Sequence, residues 1–386
     1  MTYSNKPILT RQEFETREAS LLAPYAALSG KSRGRVHPQI EHPLRTAFQR
    51  DRDRIIHSAA FRRMEYKTQV FIPHESDHFR TRLTHTIEVA QISRTMARSL
   101  GLNEDLAEAI ALVHDLGHTP FGHAAEDVLD ELLKDSGGFN HNRQSLRVVD
   151  VLERRYPDHP GLNLTYEVRE GIVKHETKVK ISLPEFDPRE RPTLEAALVD
   201  IADEIAYNAH DIDDGLSSGF ITLAELNSAG IMNMLGSIWS EEISDVDKYR
   251  YAIVRKLIDV MVSDVLSETA RRIIENKLDS LESVRRGKTK ICSYSTVMER
   301  TVKEIKSFLF QRLYRHPEME KHSKLARQVI AGLYEVLIED STMMPENFLK
   351  RLETDARPIV VADYIAGMTD RFAEKSFEEL VRDKEC

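Results

Sequence analysis

The chain has 386 residues and a formal net charge of −9, with 41% hydrophobic and 30% charged residues but only 16 Gly and 14 Pro. That length can bury a sizeable core, and sparse Gly and Pro favour long helices over turn-rich sheet, so the expected fold class is all-α. The acidic balance argues against simple electrostatic adhesion to DNA or anionic membranes, the absence of a long apolar run argues against a membrane span or secretory signal, and Cys292 and Cys386 lack metal or disulfide spacing.

In chain order, residues 1–44 read as an N-terminal arm with weak periodicity. The Arg-rich stretch "RTAFQRDRDRIIHSAAFRR" from Arg45 to Arg63 reads equally well as an ion-paired helix face or as a phosphate-steering surface. Leu83, Ile87, Ala90 and Ile92 predict a helix over 82–100 stopped by Gly101. Leu106, Ile110, Val113 and Leu116 predict a second over 103–116, ending at Gly117. Thr119 and Pro120 read as the cap and first turn of a third, through Leu133. Further helices are expected near 141–155, 165–175, 193–212, 248–279, 296–315, 322–340 and 357–383, with a Pro- and charge-rich loop at 176–192 and a boundary near 215–245.

The junction of the second and third helices, "VHDLGHTPFGHAAED", is where titratable side chains concentrate. Consecutive residues of a helix point about 100° apart, so His114 and Asp115 converging at a helix end suit two ligands of one ion. A lone pair of this kind would ordinarily be a helix-terminal interaction. Here it is accompanied by His85 in "RLTH" and by Asp203 in "VDIADEIAYNAHDIDD". Two imidazoles and two carboxylates make a mixed N/O donor set suited to a divalent cation, Mg²⁺, Mn²⁺, Fe²⁺, Co²⁺ or Zn²⁺ alike. His123 and Glu126, three apart, would share a helix face, and Asp203, Tyr207 and Asp211, at intervals of four, would form one stripe.

Together with "FRRMEYKTQVF", "GGFNHNRQSL", "GIVKHE" and "VVADYIAGMTDRFA", these stretches resemble the deoxyguanosine triphosphate triphosphohydrolases and related dNTP triphosphohydrolases of the HD phosphohydrolase superfamily. The resemblance covers about residues 45–215 and again 361–373. It implies an HD-domain helical core at 45–215, with a C-terminal helical region, 216–386, packing on it and closing the site.

The resemblance also implies His85, His114, Asp115 and Asp203 as metal ligands and His123, Glu126 and His141 as catalytic groups. Substrate contacts would come from Gln69, Val70, Arg82, His118, Lys174, Tyr207, Asp211 and Asp370. His175, Arg62, Lys67 and Tyr364 are weaker candidates. The implied reaction splits a deoxynucleoside triphosphate into deoxynucleoside and inorganic triphosphate, with Tyr207 closing the space a ribose 2′-hydroxyl needs and Asp211 and Gln69 binding the 3′-hydroxyl. A cytoplasmic homo-oligomer with a dNTP effector is the corresponding expectation, without membrane attachment and with nucleic-acid binding left open. An HD-type phosphomonoesterase or phosphodiesterase, or a non-catalytic nucleotide sensor, are the competing readings.

Overall fold

A computed structural model describes residues 8–69, 80–175, 183–228 and 246–381. Among these the fold is all-α, the only extended pairings being isolated bridges at Arg35–Thr165 and Thr68–Thr81. The helices are α1 (Arg11–Leu21), α2 (Ala47–Ile56), α3 (Ala59–Arg63), α4 (Arg82–Ser99), α5 (Glu104–Val113), α6 (His123–Leu132), α7 (His141–Arg147), α8 (Tyr166–Val173) and α9 (Leu194–Ser217). They continue with α10 (Leu223–Ser228), α11 (Val246–Glu275), α12 (Leu281–Arg286), α13 (Thr296–Leu309), α14 (Pro317–Glu339), α15 (Glu346–Leu349), α16 (Arg357–Ala366) and α17 (Asp370–Leu380). Val70, much of the 176–192 loop and most of the 215–245 boundary lie outside the described residues.

The helix α4, α5 and α9 trio packs mutually, with α2 against α5 and α11 against α9. Its starts follow side-chain chemistry: the Asn103 carboxamide accepts the Leu106 N–H at the head of α5, and Thr193 accepts the Ala196 N–H at the head of α9. Val89, Met96, Leu106, Ile110, Val113, Ile205 and Ala209 are buried in the main core these helices share. A second core lies between α6 and the C-terminal helices, joining Ala125, Val128 and Leu129 to Ile330, Leu333, Val361, Ile365 and Phe377. The helix bearing His123 and Glu126 therefore turns its apolar face to the end of the chain.

Several boundaries differ from the sequence expectation, for identifiable reasons. The third helix begins at His123, not at Thr119-Pro120, because Phe121 and Gly122 take φ of 60° and 64°, outside any right-handed helix. Asp370 holds that turn, accepting from the Phe121 N–H at 3.0 Å and from the Thr68 N–H at 2.8 Å. The arm contains α1, opened by a Thr10/Glu13 capping box despite carrying no buried residue. The expected helix at 357–383 is two, α16 and α17, and the expected 322–340 helix begins earlier, at Pro317 in its first turn. The 296–315 helix gives way after Leu309 to a π turn, Phe310–Tyr314. Half of the six arginines of this stretch are ion-paired, Arg45 with Asp53 at 2.5 Å, Arg50 with Glu41 at 3.1 Å and Arg52 with Asp105 at 3.0 Å, while Arg54 donates to the Leu162 and Asn163 carbonyls.

Gly117 sets how closely α5 approaches α7. A β-carbon there would lie 2.1 Å from the Ser145 nitrogen and 2.3 Å from the His141 carbonyl oxygen, both backbone atoms that cannot swing aside. The Gly117 N–H donates to Ser145 Oγ, whose hydroxyl donates in turn to the His114 carbonyl. The substitution Gly117→Ala is expected to cost about 1–3 kcal/mol or more in urea-induced unfolding, and to separate His114 from His141. Unchanged stability in that variant would contradict the close approach.

Candidate active site

A cavity of about 800 Å³ opens where α4, α5, α6, α7 and α9 meet the π turn and the start of α14. Its wall includes Gln69, Arg82, His85, His114, Asp115, His118, His123, His141, Asp203, Tyr207 and Asp211, so most of the sequence-derived residues converge on it.

Donor atoms of His85, His114 and Asp203 lie within 4.8 Å of one another. His85 Nε2 is 2.9 Å and His114 Nε2 3.7 Å from the same Asp203 oxygen. The His114 Nδ1–H is spent on the Ala111 carbonyl at 2.7 Å, which leaves the Nε2 lone pair facing the carboxylates, buried and without a hydrogen-bond partner. Lone pairs facing carboxylate oxygens need a positive charge between them, and this donor set suits a divalent cation. The same need shows in the titration. Burial works to raise Asp203, yet His114, His175 and His85 hold it well below the usual carboxylate range. Burial works to lower His114, yet Asp115 and Asp203 raise it.

Asp115 stands beside this trio, its Oδ1 3.3 Å from His114 Nε2, and is shared with two other groups. His118 Nε2 approaches the same oxygen at 3.1 Å, and Arg82 donates from Nη1 to Oδ2 at 3.0 Å. Arg82 is 2% exposed, and its Nε and Nη2 are buried without a partner, so the guanidinium retains unused donors at the cavity wall. His175, 2.5 Å from Asp200 through Nδ1, turns Nε2 to 3.7 Å from the second Asp203 oxygen.

On the other side, the rings of His118 and His141 stack at 4.0 Å between centroids. Glu126 is bonded to His141 and not, as the spacing of three suggested, to His123. It accepts from the His141 backbone N–H and lies 2.9 Å from the His141 Nδ1. Burial works to raise Glu126, but these bonds from His141 bring it down to about 2. His123 is exposed to the cavity, and burial and Arg82 lower it below the usual histidine range.

The far wall comes from residues that the sequence reading did not single out: Phe310 and Tyr314 of the π turn and Met319, His322, Ser323 and Ala326 of α14. The Tyr314 hydroxyl donates to Asp211. Burial pushes Asp211 up to about 7 against the pull of that hydroxyl. Gln69 Oε1 is buried without a partner.

Some expected contacts are not brought to the cavity wall. Lys174 donates to Glu170 and to the Glu190 carbonyl, and Lys67 is buried on the His118 and Ala366 carbonyls. Arg62 donates to the His57 carbonyl, and Tyr364 packs against Phe348. Asp370 is the clasp of the Phe121 turn described above.

This arrangement defines an HD-domain protein, and the HD domain family model matches residues 82–208, with a phosphohydrolase-associated domain at 292–379. Proteins named deoxyguanosinetriphosphate triphosphohydrolase-like are similar over nearly the whole chain. One from Geobacter sulfurreducens is 47% identical, covering 94% of this chain and 96% of its own length. One from Geobacter metallireducens is 46% identical (95% and 97%), and one from an Azoarcus species 47% (94% and 97%). The chain belongs to this family of HD-domain phosphohydrolases. No helix among the described residues is long and apolar enough to cross a membrane.

The Glu126 carboxylate is the main support of the His141 ring. Replacing it in Glu126→Ala strands the His141 N–H and is expected to cost about 1.5–3 kcal/mol at neutral pH by denaturant unfolding. Because the folded-state value is depressed from 4.5 to about 2, this contribution is held above pH 4.5 and lost as the pH falls toward 2. A difference between wild type and variant that did not shrink over that range would contradict the pairing.

Proposed function

We propose that the protein is a metal-dependent dNTP triphosphohydrolase, converting a deoxynucleoside triphosphate and water into a deoxynucleoside and inorganic triphosphate. The observation that carries this reading is the facing of two clusters across one cavity: His85, His114 and Asp203 with Asp115 on one side, and His123, His141 and Glu126 on the other. The four ligands proposed are His85, His114, Asp115 and Asp203. A divalent ion held there lowers the pKa of water and polarises a phosphoryl oxygen.

The remaining steps fall to the chain's own side chains. Arg82, with Nε and Nη2 unspent, binds the charged oxygens of the polyphosphate, and His118 lies beside the same phosphate. His141, fixed at Nδ1 by Glu126, presents Nε2 to the α-phosphate. Water attacks the α-phosphorus, the bond to the 5′ oxygen breaks, and that oxygen requires a proton as it leaves. His123 opens to the cavity and has no side-chain hydrogen bond among the described residues, so its imidazole serves as the proton-transfer group.

The deoxyribose is read along α9. Tyr207 and Asp211 follow Asp203 at successive intervals of four, so metal ligand, ring and carboxylate are stacked along one stripe of the wall. Tyr207 excludes a 2′-hydroxyl by bulk. Asp211 and Gln69 accept and donate to the 3′-hydroxyl. Lys174 and Asp370, proposed from the sequence as further substrate contacts, lack support from the geometry.

The test is a panel of dNTPs, singly and in pairs, with Mg²⁺ or Mn²⁺ and product analysis. Deoxynucleoside plus triphosphate supports the reading; orthophosphate or a nucleoside monophosphate supports an HD-type phosphomonoesterase or phosphodiesterase instead. In the same assay His123→Ala is expected to lower turnover by about 100- to 10,000-fold while Mn²⁺ binding is retained. Full turnover in that variant would remove His123 from the mechanism. Tyr207→Ala is expected to raise ribonucleotide relative to deoxyribonucleotide hydrolysis by about tenfold or more, and an unchanged ratio would rule out steric exclusion by this ring.

A further inference from the structure

Behind His85, away from the cavity, a second histidine and a carboxylate are arranged in line. His85 Nδ1 lies 3.3 Å from His210 Nδ1, with the two rings at 86° and 5.4 Å between centroids. His210 Nε2 lies 2.8 Å from Glu88 Oε2. His210 is 2% exposed, whereas the Glu88 side chain is 43% exposed and is met from the other side by Arg80 Nε at 3.2 Å. Arg80 is held in turn by Asp213 and Asp214, each at 2.8 Å.

The proton positions follow from which partners can only accept. A carboxylate offers no hydrogen, so His210 Nε2 carries the proton toward Glu88. A neutral imidazole has one N–H, which leaves His210 Nδ1 as an acceptor. The nitrogen facing it, His85 Nδ1, must then be the donor. His85 Nε2 is consequently a bare lone pair, 2.9 Å from Asp203 Oδ1 and within the group of converging donors. The same logic operates at His114, where the Ala111 carbonyl takes the distal N–H.

The placement along the chain is as regular as the chemistry. Glu88 follows His85 by three residues on α4, and His210 follows Asp203 by seven on α9, so each support sits on the same face as the proposed ligand of its own helix. Each helix therefore contributes one group to the cavity and one to the relay behind it.

We propose that His210 is a positioning residue of the ion site: anchored by Glu88, it fixes His85 in the tautomer and ring orientation that ligate through Nε2. This rests on His85 being a metal ligand. Partners of this kind raise ligand basicity and prevent the ring from flipping, and their loss typically weakens metal binding without removing a ligand.

The experiment is Mn²⁺ titration of the full-length protein, freed of metal with a chelator and followed by calorimetry or electron paramagnetic resonance, with thermal melting of each metal-free variant as the folding control. His210→Phe, which fills the site but cannot accept from His85, is expected to raise the Mn²⁺ dissociation constant by about 10- to 100-fold with an unchanged metal-free melting temperature. His210→Asn, whose carboxamide oxygen falls near the position of Nδ1, is expected to restore affinity to within about threefold of wild type. Glu88→Ala, at the exposed end, is expected to weaken binding by about three- to tenfold and provides the test should His210→Phe fail to fold. Wild-type affinity in His210→Phe, or in Glu88→Ala if that variant alone folds, overturns the relay. Absence of stoichiometric Mn²⁺ binding by the wild type instead overturns the ion-site reading and the relay with it.

Discussion

Two imidazole lone pairs aimed at one carboxylate oxygen are the constraint on which the remainder of this molecule is built. Largely withdrawn from bulk water, such an arrangement is unstable unless a cation or a shared proton lies between the groups. The chain accepts that cost and fixes it in place from outside. The Ala111 carbonyl fixes one ring, His210 stands behind the other, and the Asp203 carboxylate is surrounded by three histidines. Arg82 and His118 draw on the neighbouring Asp115, linking the acidic side of the cavity to the wall where an anionic ligand would lie.

Bringing the second cluster opposite the first depends on backbone contacts as much as on side chains. Gly117 lets the end of α5 touch the backbone of α7, and Ser145 bonds across that contact, accepting from the Gly117 N–H and donating to the His114 carbonyl. Asp370 fixes the left-handed Phe121-Gly122 turn from the far end of the chain, which delays the start of α6 until His123. The start of α6 thus sets where His123 enters the cavity wall, its ring 5.5 Å from that of His118, which stacks on His141.

Much of this was legible in the residues. Period 3.6 marked α4, α5 and α9, and the four-residue spacing of Asp203, Tyr207 and Asp211 placed all three on the cavity wall. What sequence could not carry were pairings decided in three dimensions. The spacing of three made His123 the natural partner of Glu126, yet a residue fifteen positions on takes that carboxylate, because the first residue of α7 meets it with both its backbone N–H and its ring. His210 lies within the acidic helix that drew attention to Asp203, but its meaning depends on facing His85 across two helices. Phe310, Tyr314 and Met319 belong to no motif in the sequence, and it is the π turn and the start of α14 that bring them to the cavity. Asp370 resembled a substrate contact because its signal, an acidic residue in a resembling motif, is the same whether it meets a ligand or a backbone turn.

The second apolar core gives α6 an unusual allegiance. The groups proposed to hold an ion belong to helices cemented into the main core, whereas His123 and Glu126 ride on a helix whose greasy side is cemented to α14, α16 and α17. On the proposed roles, loosening of the carboxy-terminal third would uncouple the His123 side of the cavity from the ion-binding side, while the donor atoms of His85, His114 and Asp203 stay together.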